Sequence, residues 1–64
     1  MKNLIVLRSY DNSYTIAVNP DHIVGFYEDE EDKNNCIINF LKGEPLIAKI
    51  SFYDLVDLIN KSYE

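Results

Sequence analysis

Apolar residues occur in short runs along this chain, and polar or turn-forming residues separate one run from the next. The runs are rich in Ile, Val, Tyr and Phe, and several alternate with polar residues, which is typical of β-strands. Asn, Asp, Pro and Gly occupy the intervening positions, where turns favour them. The pattern predicts five strands, at residues 4–9, 14–18, 22–27, 36–41 and 45–50.

A proline and two glycines refine these boundaries. Pro20 has no amide hydrogen and favours an extended Asn19, so residues 19–21 should break the ladder and separate the second strand from the third along the chain. Gly25 lies inside the third strand and predicts a bulge or a close approach of the backbone. Gly43 lies between the fourth and fifth strands and predicts a tight turn with a positive φ angle.

After residue 50 the apolar period changes to that of a helix. Ser51 and Asp54 form the S-x-x-D version of a helix-capping sequence. Apolar side chains then recur at helical spacing and predict a helix over residues 52–62. The stripe consists of Phe52, Leu55, Val56, Ile59 and Tyr63. We therefore predict one α+β domain, residues 1–64, with an antiparallel β-meander of about five strands and one C-terminal helix packed on one face.

A single helix can cover one face of a sheet, yet several strands carry apolar residues on both faces. An antiparallel sheet with one wet face usually alternates more strictly, and exposed apolar patches mark interaction sites. The first strand adds either Leu4 and Val6 or Ile5 and Leu7 to the outer face. We predict a homo-oligomer, or alternatively a strongly curled sheet that redistributes these side chains. The candidate self-association residues are Val24, Phe26, Ile37, Leu41 and Ile47.

Five consecutive carboxylates follow the third strand: Glu28, Asp29, Glu30, Glu31 and Asp32. They do not match an EF-hand loop, which needs a glycine at the sixth place and a distal glutamate. A solvated hairpin tip, a weak surface site for a hard cation, and a docking site for a basic partner remain as interpretations.

Two tyrosines lie near the predicted strand ends, where protein interfaces favour this side chain. They are Tyr10 and Tyr27, and with the acidic run they are the candidate partner-binding residues. Packing around the rim of a small core is the alternative for these two rings.

The sequence offers little catalytic chemistry. His22 is the single histidine and Cys36 the single cysteine. A lone titrating group rarely makes a site, and a cysteine in an apolar strand behaves as a small hydrophobe. The sequence contains no nucleophile motif, glycine-rich phosphate loop or zinc-protease motif. We therefore expect no enzyme activity, no cofactor and no metal.

Charge and chain length bear on partners and location. Eleven acidic residues oppose six basic ones, for a net charge of −5. This charge repels phosphate and anionic lipid, so neither nucleic acid nor membrane is an expected partner, whereas a basic protein is. The first apolar run is too short for a signal peptide, and the single cysteine fits a reducing compartment, so we expect a cytoplasmic location.

The stretch AVNPDHIVGFYEDEEDKNNCIINFLKGEPLIAKISFYDLVDLI combines an N-P-D-H-I turn, a K-G-E turn and S-x-x-x-L on a closing helix. In this outline it resembles the small flagellar and swarming-motility proteins of the FlbD type, and short bacterial and phage proteins of similar shape. It is also similar to half of a LytTR-type DNA-binding domain. The FlbD resemblance implies a β-meander with a terminal helix, and no catalytic residues come with it.

We expect a non-enzymatic bacterial or phage adaptor that binds another protein and self-associates through its sheet. Two alternatives remain open. One is an acidic phage-type inhibitor of a host defence or nucleic-acid-binding factor, acting through the acidic run. The other is a small-ligand binder with its site between protomers, because a domain of this length has little room for an internal pocket.

Overall fold

The computed structural model describes residues 3–63, and it contains five strands, a short 3-10 helix and one α-helix. The fold-class prediction is confirmed, because the strands are antiparallel and the α-helix comes last in the chain. The elements are β1 (Ile5–Arg8), β2 (Thr15–Val18), the 3-10 helix Pro20–His22, β3 (Ile23–Glu28), β4 (Cys36–Phe40), β5 (Leu46–Ala48) and α1 (Phe52–Ser62).

The five strands are divided between two sheets. One sheet is the β1–β2 hairpin, and the other has the order β3–β4–β5. The link between β2 and β3 is the 3-10 helix, in which Pro20 is buried and the Asn19 side chain accepts a hydrogen bond from the Asp21 amide at 3.0 Å. The predicted break at Pro20 is therefore present. The strands of the predicted meander do not form one continuous sheet, however, because β2 and β3 belong to different sheets.

The two sheets meet where β1 passes β5. Ser9 and Ala48 form an isolated antiparallel bridge. On either side of it the Lys49 amide donates to the Arg8 carbonyl at 2.9 Å, and the Tyr10 amide donates to the Ile47 carbonyl at 2.8 Å. The end of β1 thus lies beside β5 and extends the three-stranded sheet by one short contact. We call this junction of the two sheets, at Ser9, the corner of the fold.

A single core lies where the inner faces of both sheets meet the helix. Ile38, Ala48, Cys36 and Leu55 have no solvent-exposed surface, and Ile5, Leu7, Val18 and Leu46 complete the buried set. Ile5 and Leu7 are therefore the inward pair of β1, whereas Leu4 and Val6 are exposed. Strands of both sheets therefore contribute side chains to the same core.

Phe26 departs from its predicted place on the outer face. Its side chain is half-buried and packs on the core, with its ring centroid 5.2 Å from that of Phe52 in α1. The cause is the irregularity in the β3–β4 register between Ile23 and Gly25, where Val24 is the extra residue. A bulge changes which residues of a strand point inward, so the predicted bulge at Gly25 is present and reassigns Phe26 to the inside.

The helix begins and ends where the sequence predicts. Ser51 is its N-cap, and its hydroxyl accepts a hydrogen bond from the Asp54 amide at 3.4 Å. The buried stripe differs at its C-terminal end: Tyr63 is exposed and lies at the C-cap, beyond the last helical residue. Leu58 packs on the core in its place, and Ser62 is buried.

Candidate protein-binding surface

Four apolar or aromatic residues form a row across the outer face of the three-stranded sheet. Cross-strand pairing places Tyr27 opposite Ile37 and Ile37 opposite Ile47. The hydrogen bond from the Tyr10 amide to the Ile47 carbonyl adds Tyr10 at the next position. Residues paired in this way share a face of the sheet. These four residues are far apart in the sequence, and the fold places them side by side. We call this set the Tyr–Ile row.

The row has a distinct profile of exposure. Its two tyrosines are 54% and 52% exposed for Tyr10 and Tyr27, while Ile37 and Ile47 between them are half-buried. The adjacent inner row is Ser9, Ala48 and Cys36, all buried. A one-residue step along each strand therefore separates core from surface, as the two-residue period of a strand requires.

The acidic loop, residues 28–32, borders this row. Glu28 is the last residue of β3, and the remaining four residues open the connection to β4. Glu28, Asp29, Glu30 and Glu31 line a shallow surface cavity of about 380 Å³ together with Tyr27, Ile37 and Ile47. Part of the Tyr–Ile row and four carboxylates thus share one concave surface.

The acidic loop is hydrogen-bonded to itself. The Asp29 amide donates to the Asn35 carbonyl at 3.1 Å, and the Asn35 amide donates to the Asp32 carbonyl at 2.9 Å. The Asp29 and Asp32 side chains each accept a bond from an amide two residues ahead, both at 3.0 Å. These are the local turns that aspartate favours, and they orient the side chains of Asp29 and Asp32 within the loop.

Tyr10 lies in the hairpin between β1 and β2, and a network of hydrogen bonds around Ser9 holds this hairpin. Ser9 is buried, and its hydroxyl donates to the Asp11 carboxylate at 2.8 Å and accepts from the Ser13 amide at 3.0 Å and the Tyr14 amide at 3.3 Å. Hydrogen bonds from Ser13 and then Ser9 lower the pKa of Asp11 from 3.8 to about 2. The S-x-D-x-S spacing of small hydrogen-bonding residues is the sequence signal for this network.

Arg8 closes the same hairpin from the outside. Its guanidinium donates to the Asn12 carbonyl and to the Thr15 hydroxyl, both at 2.8 Å. Asn12 has a φ angle of +62°, a left-handed conformation that asparagine tolerates better than most residues. The Arg8 bonds therefore fasten the one residue of this turn whose backbone conformation is costly.

The other candidate self-association residues do not join the Tyr–Ile row. Val24 and Leu41 are 66% and 67% exposed, and they lie at the opposite end of the β3–β4 hairpin, where the Leu41 amide bonds to the His22 carbonyl at 2.9 Å. Gly25 and Asn39, a paired position on the same ladder, separate this end from Tyr27 and Ile37. The outer face therefore carries two apolar areas rather than one.

Cys36 is buried and lies opposite Glu28, the first residue of the acidic loop, in the β3–β4 ladder. Burial raises the pKa of its thiol, and the negative charge of Glu28 adds to that rise. Among residues 3–63, no group of three His, Cys, Asp or Glu side chains is arranged to hold a metal ion. In the same part of the chain, no helix has the length and apolar character needed to cross a membrane.

Comparisons with known proteins give no match: this chain matches no protein-family model, no curated protein sequence and no solved structure. The resemblance to FlbD-type proteins stays a prediction.

Proposed function

We propose that this chain is a non-enzymatic protein-binding adaptor that holds its partner on the Tyr–Ile row and the acidic loop. The observation that carries the proposal is the shared concave surface, in which Tyr27, Ile37 and Ile47 lie beside four carboxylates. Tyrosines with half-exposed rings at the edge of an aliphatic centre are the composition that protein interfaces favour.

The chemistry of the surface favours a partner that is both apolar and basic. Two isoleucines offer an apolar centre, and the acidic loop offers negative charge along one side. A complementary protein presents an apolar side chain flanked by Lys or Arg. Charge at the rim of an interface mainly accelerates association and is screened by salt over about 8–10 Å at physiological ionic strength, so binding should weaken as salt rises.

The test compares two pairs of tyrosines. Tagged wild-type protein and the double variant Tyr10→Ala/Tyr27→Ala are used to capture partners from cells. The captured proteins are compared by quantitative mass spectrometry with isotope labelling. Tyr14→Ala/Tyr53→Ala is the matched control, because these two rings are also exposed but lie outside the row. Interface tyrosines commonly contribute about 1–2 kcal/mol each, so the row variant should capture at least about tenfold less partner.

The control decides the outcome. The proposal requires that the Tyr14/Tyr53 variant keep the same partner at the wild-type level. Equal capture by both double variants, or equal loss from both, would show that the Tyr–Ile row does not bind the partner. Glu30→Gln/Glu31→Gln adds the charge arm, and it should slow association and flatten its salt dependence.

Self-association through the sheet is a second candidate, favoured by the exposed side chains of Val24 and Leu41 and by the half-buried Ile37 and Ile47. Sedimentation velocity at micromolar concentration should then give a species larger than the 7.5 kDa chain. Ile47→Lys and Leu41→Lys assign any dimer to the Tyr–Ile row or to the other apolar area. A monomer at every concentration would reject this candidate and leave the adaptor proposal intact.

A further inference from the structure

A second groove lies away from the Tyr–Ile row, along the edge of β2. It encloses about 500 Å³ and is lined by residues 16–19 on one wall, residues 40–42 on the other, and His22. Neighbouring residues of a strand point to opposite faces, so a groove on one face would be lined by every second residue. Lining by consecutive residues means that this groove follows the edge of the strand, where the backbone groups lie.

The hydrogen-bond register shows which backbone groups of β2 are not paired with β1. The Ser9 amide donates to the Tyr14 carbonyl at 3.0 Å. Bonded and non-bonded pairs alternate along an antiparallel ladder, so Ile16 and Val18, opposite Leu7 and Ile5, use their backbone groups to pair with β1. Thr15 and Ala17 turn theirs the other way, toward an edge with which no strand pairs within residues 3–63.

The groove also differs from the rest of the molecule in charge. Its walls are mainly apolar, with Ile16, Val18, Phe40 and Leu41 among them. Lys42 is the charged side chain of the lining, and no carboxylate lines the groove among the described residues. In a chain with a net charge of −5 this is an unusual concentration of apolar and basic character. It complements a ligand that carries apolar and acidic groups together.

We propose that this groove binds an extended, acidic–apolar segment of another protein, which adds to β2 as a further strand. The segment exchanges backbone hydrogen bonds with Thr15 and Ala17, places alternate apolar side chains between β2 and the end of β4, and directs a carboxylate to Lys42. Strand addition at an open edge derives its affinity from backbone bonds and its specificity from pockets for alternate side chains. The three β2 residues that line the groove, 16–18, offer a contact about 10 Å long, and Thr15 extends the same open edge by one residue.

A second copy of this chain fits the groove less well. Symmetric pairing of two β2 edges would place a groove lined by Lys42 on both sides of the interface and supply no carboxylate from either groove to complement it. An acidic segment, by contrast, would bring a negative charge to Lys42 at this edge.

The test begins with the wild-type chain as bait for a displayed library of random linear peptides. Enriched peptides should alternate apolar residues and carry Asp or Glu. A synthetic copy of the most enriched peptide is then titrated into isotope-labelled protein, and its binding should move the amide resonances of Thr15, Ala17 and Lys42 rather than those of Tyr27 and Ile37. Shifts confined to the Tyr–Ile row would overturn the proposal for this edge, because they would show that the peptide binds at the Tyr–Ile row instead.

Ala17→Pro isolates the backbone contact. Proline removes the one amide that Ala17 points into the groove and leaves the β1 ladder intact, which is the position where an edge strand tolerates it. The peptide should bind this variant at least about tenfold more weakly than Ala17→Val, which keeps the amide. Equal affinity for the two variants would rule out strand addition.

Lys42→Glu supplies an independent arm on an exposed side chain that is outside the ladders. The selected acidic peptide should bind this variant at least about tenfold more weakly than it binds the wild type. When the variant is the bait in a new selection, the enriched peptides should be basic. Unchanged affinity and unchanged selection would remove the charge complementarity on which the proposal stands. Sedimentation of the wild type and of Ala17→Pro tests whether a second copy of this chain occupies the edge. A wild-type dimer that Ala17→Pro dissociates would assign the edge to that second copy and overturn the proposal.

Discussion

Replacing Ser9 by alanine tests how the corner of the fold is held. The substitution removes a buried hydroxyl that makes bonds of 2.8, 3.0 and 3.3 Å to Asp11, Ser13 and Tyr14. Each such bond contributes roughly 0.5–1.5 kcal/mol net to stability. The Ser13 amide keeps a second acceptor, the Asp11 carboxylate at 3.0 Å, so the losses are not simply additive. We expect the free energy of unfolding to fall by about 1–3 kcal/mol.

This loss is large for a domain of this size, whose total stability is roughly 3–5 kcal/mol. Urea denaturation followed by circular dichroism at pH 7 measures it. Ser13→Ala is the matched control, because it removes a neighbouring hydroxyl that is exposed rather than buried. Ser13→Ala should therefore cost less stability than Ser9→Ala.

The pKa of Asp11 gives a second readout with the opposite order. Hydrogen bonds from Ser13 contribute most to its fall from 3.8 to about 2, and Ser9 contributes next. A carboxyl whose pKa is lowered by folding stabilises the fold fully above its unfolded pKa, near 4, and this contribution disappears as the pH falls through about 2. In a carbon-detected NMR titration both variants should raise the pKa of Asp11, and Ser13→Ala should raise it more. Between about pH 2 and pH 4, the free energy of unfolding of both variants should depend less on pH than that of the wild type.

The two readouts together can refute the account of the hairpin. If Ser9→Ala left both the free energy of unfolding and the pKa of Asp11 at their wild-type values, the serine would not organise this turn. If Ser13→Ala cost more stability than Ser9→Ala, burial of the Ser9 hydroxyl would not be the reason for the loss.

Three further predictions concern the core, one turn and the thiol. Leu55→Ala should lower the free energy of unfolding by about 2–5 kcal/mol and leave much of the chain unfolded at 25 °C, whereas Tyr53→Ala, 76% exposed on the same helix, should change it little; similar unfolding curves would contradict the placement of the core. Gly43→Ala should cost about 1 kcal/mol because its φ angle is +90°, while Gly25→Ala meets nothing within 4 Å and should cost clearly less in the same urea titration. Cys36 is buried with a raised pKa, so an aromatic disulfide reagent should modify it at a rate that rises with urea as the protein opens; rapid modification in the native state would contradict this burial.

Local signals in the sequence determined much of the fold. The capping pair Ser51 and Asp54 and the helical period fixed α1 at Phe52–Ser62, because both act within a few residues of the chain. Gly43 identified the β4–β5 turn, since a positive φ angle is costly for any residue with a β-carbon. Alternation placed the five strands to within one residue at every end except the C-terminal end of β5, where the difference is two residues.

Tertiary structure decided which faces and neighbours these elements have. Whether Ile5 or Val6 points inward depends on the contact between β1 and β5, in which Ser9 pairs with Ala48, 39 residues further along the chain. Phe26 changed sides because the bulge at Val24 shifted the register of β3 against β4. Tyr10, Ile47, Ile37 and Tyr27 became one row through the pairing of strands that are distant in the chain. Sequence period specifies that a strand has two faces, but long-range pairing specifies what each face meets, and the energy of that pairing belongs to contacts that no short stretch of sequence contains.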